Sequence, residues 1–154
     1  VANPSLTKPR GVAAAWLPPI LWMGLIFIAS TDLMSAEHTS RFIGPFLRWL
    51  NPNISAAAIL QVQFAVRKAA HVTEYAILGC LFWRALRRRR TANSFRWSEA
   101  LISFALAAAY AAVDEFHQTF VASRTGSPWD VMIDCCGVAI GLLICGISFR
   151  HRDR

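Results

Sequence analysis

The chain has 154 residues, 55% of them hydrophobic and only 16% charged, and its mean hydropathy is +0.39. An average soluble domain carries about 25% charged residues, so these values exclude a disordered chain and argue against a water-soluble monomer, while the length fits one domain, 1–154. The net charge of +7 would suit a nucleic-acid partner, but the basic residues sit against apolar segments, as cytoplasmic anchors of membrane spans do, and no nucleic acid is expected.

The first span follows Lys8 and Arg10. Gly11 to Thr31 gives 21 uncharged residues, enough at ~1.5 Å per residue to cross a ~30 Å hydrocarbon core. Pro18 and Pro19 are expected to kink this helix, because an interior proline removes a backbone donor. A cleaved leader is the rival reading of a basic start, but Ile28 and Ser30 make a poor small-x-small cleavage site.

Asp32 to Val66 is the one long connection. Within it Phe42, Phe46, Leu47, Trp49 and Leu50 recur near helical spacing beside Arg41 and Arg48, which predicts an amphipathic helix lying in the outer interface. Asn51-Pro52-Asn53 is a turn signal, and Ser55 is placed to cap the next helix.

The remaining apolar stretches are short. Ala69–Trp83 and Cys135–Phe149 have 15 residues each and Ala100–Val113 has 14, and fifteen helical residues reach only ~22 Å. Arginines at Arg84, Arg96 and Arg150 mark one end of each as cytoplasmic, so the missing length must come from the opposite ends: Arg67–Glu74, Asp114–Gln118 and Trp129–Asp134. With both termini inside, eleven of the sixteen basic residues are cytoplasmic, including Arg87–Arg90, Arg152 and Arg154. The expected architecture is all-α: an integral membrane bundle of four helices, N-in and C-in, at about 12–31, 67–86, 98–118 and 128–149. Cys80, Cys135, Cys136 and Cys145 lie inside apolar runs without CxxC spacing and read as buried, reduced hydrophobes.

The polar outer ends share one depth. Lys68, His71 and Tyr75 fall within one helix face with Glu74 a turn beyond His71; Tyr110, Asp114, His117 and Gln118 share an arc flanked by Glu115; Asp130 and Asp134 are i, i+4. Ionisable groups facing lipid would cost on the order of 3 kcal/mol each, so these faces should turn into the bundle or a water-filled chamber. Deeper in, Gly137-x-x-x-Gly141 and Ala107-x-x-x-Ala111 permit close helix contact.

Plainer roles compete at several positions. Ser127-Pro128-Trp129-Asp130 fits a capping box, in which Asp130 would only reach back to its own helix start. Arg124 grips a phosphate or carboxylate, neutralises the surrounding acids, or does both. His71-x-x-Glu74 and Asp114-x-x-His117 are compatible with a metal in a bundle, but no third and fourth ligand stand at a recognised spacing, so neither metal nor cofactor is assigned and mutual hydrogen bonding is the alternative. Glu115 has a stabilising alternative as the partner of Arg67 or Lys68.

Arg67-Lys68-Ala69-Ala70-His71-Val72-Thr73-Glu74-Tyr75-Ala76-Ile77-Leu78-Gly79 resembles the R-K-x-x-H-x-x-E-Y-x-x-L-G segment of the VanZ-like family, named after a protein linked to teicoplanin resistance. Asp114-Glu115-Phe116-His117-Gln118, Arg124-Thr125-Gly126 and Asp130-Val131-Met132-Ile133-Asp134 with Gly137 are similar to the family's D-E-x-x-Q, R-x-G and D-x-x-x-D-x-x-G elements, in order. Two positions depart from the pattern: Val121-Ala122-Ser123 replaces a common proline and glycine, and Cys135-Cys136 replaces small or hydroxyl residues. The resemblance implies a multi-pass protein of the bacterial cytoplasmic membrane, tied in some members to tolerance of lipid-tailed glycopeptides, without an agreed reaction.

The expectation is therefore an outer-leaflet polar pocket that engages an envelope lipid, a lipid-linked precursor or a lipoglycopeptide. Arg124 and Lys68 would hold an anionic head group, with Arg67, Tyr75, Gln118, Asp130 and Asp134 completing the ligand set. His71, Glu74, Asp114, Glu115 and His117 are the acid/base candidates. No G-x-S-x-G, Walker A or H-E-x-x-H signature supplies a nucleophile or metal, so no reaction is attached to them. The competing reading is a non-catalytic membrane scaffold whose ionisable residues form an ion-pair network. A proton pathway fares worse, since Cys80, Ser103, Cys145 and Ser148 are the only polar steps in the inner halves.

Overall fold

The computed structural model describes residues 12–31, 36–87, 96–122, 124 and 126–152, with side chains at 13–31, 41–87, 96–122, 124 and 126–149. Among them are five α-helices and no strand: α1 (Val12–Ser30), α2 (Ala36–Leu50), α3 (Ala56–Arg87), α4 (Trp97–Gln118) and α5 (Pro128–Arg152). Thr125 and the expected anchors Lys8, Arg10, Arg88–Arg90 and Arg154 lie outside the described residues, as do the side chains of Arg150 and Arg152.

Three helices hold stretches long and apolar enough to cross a membrane: Ala13–Ser30, Trp97–Gln118 and Pro128–Phe149. Their outward faces carry large apolar side chains, among them Leu21, Leu101, Val113 and Leu143, as a lipid-facing surface requires. The fourth expected span belongs to α3, which carries Arg67, Lys68 and Glu74 in mid-helix and is not among the three. α1 continues through Pro18 and Pro19 as one helix.

The largest departure from the sequence reading is the start of α3. The sequence places that helix at about 67, yet it begins at Ala56 and runs 32 residues, about 48 Å at 1.5 Å per residue. The cause is local. Asn51 closes the turn by accepting the amide of Asn53 at 3.1 Å, and Ser55 accepts the amide of Ala58 at 3.1 Å, which caps the helix start. No glycine or proline then interrupts the chain before Gly79. α2 is amphipathic as expected: Phe42, Phe46, Trp49 and Leu50 are exposed, and buried Gly44 lies against Ile59 of α3.

The core forms where α3 meets α5, α4 and α1, around Tyr75, Leu78, Phe82, Ala107, Ala111 and Val138. Gly137 and Gly141 permit the closest approach. A Cβ on Gly137 would collide with the Val72 carbonyl oxygen, and one on Gly141 with that of Ala76, so the two backbones touch directly. α1 is pinned by two side chains that donate to backbone carbonyls: Tyr110 to Met23 at 2.6 Å, and Trp22 to Glu74 at 2.9 Å. At the opposite end of the bundle Arg87 lies over the rings of Phe149 and Trp83, at 3.6 Å and 4.6 Å from their centroids. All four cysteines are free; the Cys145 thiol lies 3.2 Å from the Cys80 sulfur, and Cys136 is exposed rather than buried.

Candidate functional site

The end of the bundle that holds the α1 C-terminus and the α5 N-terminus gathers most of the charged residues that stand out in the sequence. Ser127 opens α5 by accepting the amide of Trp129 at 3.3 Å. Its own amide donates to Glu115 Oε2 at 2.9 Å, so Glu115 of α4 takes the role that a capping box would give to Asp130. Asp130 is thereby available, and it pairs with Lys68 of α3. One turn deeper His71 Nδ1 meets Asp134 Oδ1 at 3.2 Å. An ion pair and a histidine–carboxylate contact thus join α3 to α5 above the glycine contact.

On α4, Asp114 is buried and accepts from Ser30 Oγ at 2.8 Å and Gln118 Nε2 at 3.0 Å. Tyr75 is fully buried, with its ring 6.4 Å from that of Tyr110. His117 does not join His71: its ring stacks near Phe27 of α1, 4.4 Å between centroids. Among the described residues, His71, Glu74, Asp114 and His117 therefore do not gather into the metal-compatible set that their spacing allows, because His117 lies on the arc of α4 that turns toward α1.

Arg124 reaches from the α4–α5 connection to the end of α1, where it donates to the Ala29 carbonyl at 2.9 Å, and a cation there complements the helix dipole. Gly126 is required by crowding: a Cβ would stand 2.5 Å from the Glu115 carbonyl oxygen and 2.6 Å from Thr119 Cγ2. Burial, then the neighbouring Arg67, lowers the Arg124 pKa from its ordinary value, against Asp114, Glu74 and Glu115, and a guanidinium remains cationic throughout.

A cavity of about 350 Å³ opens between α1, α3 and this connection. Arg67, His71, Glu74, Arg124 and Ser30 supply its polar lining, and Leu60, Phe64, Val66 and Ala70 its apolar wall. Lys68, Asp130, Asp134, Tyr75 and Gln118 stand outside this lining and hold its surroundings. Ser30, Leu60, Gln63 and Phe64 were missed by the sequence reading. A signal for the α3 members exists, since 60, 63/64, 67, 70/71 and 74 keep a single helical face.

Three buried carboxylate oxygens have no hydrogen-bond partner among the described residues: Asp114 Oδ1, Glu115 Oε1 and Asp134 Oδ2. His71, Glu115 and Asp134 each offer a ligand atom, and those atoms lie within 4.8 Å of one another.

A family model described as VanZ/LLP1 matches residues 15–149. This chain belongs to the VanZ/LLP1 family. The VanZ match runs from α1 to the C-terminal end of α5, so every cavity-lining residue falls within it. A search of curated proteins and a search of solved structures each found no match.

Proposed function

We propose that this VanZ-family membrane protein binds the anionic head group of an envelope amphiphile, a lipid, a lipid-linked precursor or a lipoglycopeptide, in the cavity between α1, α3 and the Arg124 connection. The supporting observation is the lining itself: two guanidiniums, Arg67 and Arg124, face the same space as an apolar wall made by Leu60, Phe64 and Val66. Planar guanidiniums suit phosphate and carboxylate oxygens, and the apolar wall suits an acyl chain.

In this reading α3 is the fourth span, both termini are cytoplasmic, and the cavity opens into the outer leaflet of the bacterial cytoplasmic membrane. Positive-inside counting supports that orientation, and α2, with Phe42 and Trp49 exposed, lies along the outer interface. Glu74 and His71 adjoin the head group as acid/base candidates.

A second reading draws on the Lys68–Asp130 pair and the His71–Asp134 contact, ionic when His71 is protonated: a scaffold in which they fix the α3–α5 register. Teicoplanin susceptibility and detergent melting, measured on Arg124→Gln, Glu74→Gln and Arg67→Gln, separate the two. A pocket predicts loss of tolerance in variants that keep normal expression and melting. Tolerance that survives all three variants, or that falls only in step with melting, rejects the pocket.

A further inference from the structure

We propose that His71, Glu115 and Asp134 form a site for one divalent transition-metal ion, Zn²⁺ or Mn²⁺, beside the head-group cavity. Hydrogen bonding alone leaves these residues incompletely satisfied. Of the four oxygens on Glu115 and Asp134, Ser127 N–H takes Glu115 Oε2 and His71 meets Asp134 Oδ1. Among the described residues, Glu115 Oε1 and Asp134 Oδ2 are left without a hydrogen-bond donor, on residues that are 4% and 0% exposed. Three helices deliver the set, α3 with His71, α4 with Glu115 and α5 with Asp134.

Charge points the same way. Glu74, Asp114, Glu115, Asp130 and Asp134 confront Arg67, Lys68 and Arg124 as the permanent cations of this region, and Lys68 is committed to Asp130. With His71 neutral and all five carboxylates ionised, the state in which they act as ligands, the carboxylates exceed the cations by two charges, which one divalent ion would balance. Ligand atoms about 2.0–2.2 Å from a tetrahedral ion lie about 3.4 Å apart. The His71–Asp134 separation of 3.2 Å already meets that distance. The widest allowed pair, at 4.8 Å, closes with at most about 1.4 Å of side-chain travel.

One imidazole with two carboxylates favours Zn²⁺ or Mn²⁺ over Mg²⁺ and Ca²⁺, which take oxygen-only sets. His71 also lines the cavity, which gives the ion an entry path and an open coordination position there. The inference rests on the same chamber as the head-group reading, but does not require a lipid.

The test uses the full chain, purified in detergent with no affinity tag, stripped with chelator and reloaded with Zn²⁺ or Mn²⁺. Mass spectrometry of the metal content should give about one ion per chain, and Glu115→Gln or Asp134→Asn should weaken binding more than tenfold while Glu99→Gln, in the first turn of α4 at the other end of that helix, does not. No stoichiometric metal in the parent chain, or unchanged binding in both variants, overturns the site. If the variants fail to fold, the Co²⁺-loaded parent decides: a strong visible band of four- or five-coordinate cobalt supports the site, and a weak six-coordinate spectrum overturns it. Loss of metal binding with anionic-lipid retention intact removes this inference alone; bound metal without lipid preference removes the head-group reading alone.

Discussion

Substituting the helical glycines with alanine, one at a time, tests the α3–α5 contact that holds the charged cluster together. Gly24 on α1 has no atom within 4 Å of a built Cβ, so Gly24→Ala gains helix propensity of about 1 kcal/mol and loses nothing. Gly79 would meet the Val138 side chain at 3.0 Å, so that side chain must give by a few tenths of an ångström while the backbone stays clear. Gly141 differs in kind: its Cβ would collide with the Ala76 carbonyl oxygen and stand 2.9 Å from two further Ala76 backbone atoms. No rotamer change clears a backbone, so the helices must part. Overpacking costs about 1–3 kcal/mol, and the upper part of that range exceeds the propensity gain of about 1 kcal/mol. The expected net loss for Gly141→Ala is about 1–2 kcal/mol, a drop in detergent melting temperature of about 2–8 °C at about 2–4 °C per kcal/mol. Gly137→Ala should behave alike, since Val72 backbone atoms stand 3.0 Å from its Cβ. Melting temperatures that move together for Gly24→Ala and Gly141→Ala would refute the direct backbone contact.

Lys68→Met leaves Asp130 without its cation and should destabilise by about 1–3 kcal/mol, moderated because both side chains are 20% exposed. Lys68→Asp combined with Asp130→Lys should recover part of that loss in chemical unfolding, and no recovery would count against a direct pair. Ser30→Ala removes one of the two donors to buried Asp114 and should cost about 1–3 kcal/mol. Ser148→Ala, which loses only a bond to its own helix carbonyl of Ile144, should stay within about 0.5 kcal/mol of the parent; equal melting of the two variants would contradict the Asp114 assignment.

Much of the site was legible because membrane burial makes charged residues informative: Arg67, His71, Glu74, Asp114, Glu115, Arg124, Asp130 and Asp134 stand out in short apolar stretches. The glycine spacing on α5 was equally readable, and the structure gives Gly137 and Gly141 the expected close contact. Partner choice was not readable. Helical periodicity placed His71 near Glu74 and Asp114 near His117 on their own helices, whereas His71 pairs across to Asp134 and His117 turns to Phe27. Such pairings depend on helix rotation and depth, which a linear spacing does not encode. The start of α3 was hidden because Arg67 and Lys68 interrupt the apolar pattern, although Ser55 was recognisable as a cap. Leu60, Gln63 and Phe64, which precede that interruption, form the wall that turns a charged helix end into a cavity.

The most direct measurement is of lipid retained by the purified protein. The chain is extracted from membranes containing phosphatidylglycerol and phosphatidylethanolamine, and the bound species are counted by native mass spectrometry for the parent, Arg67→Gln and Arg124→Gln. A charge-assisted contact is worth about 1.5–3 kcal/mol, so the parent should prefer the anionic lipid and each variant should lose about tenfold or more of that preference. Equal retention of the two lipids by the parent, or an anionic preference unchanged in both arginine variants, would contradict a head-group site in this cavity.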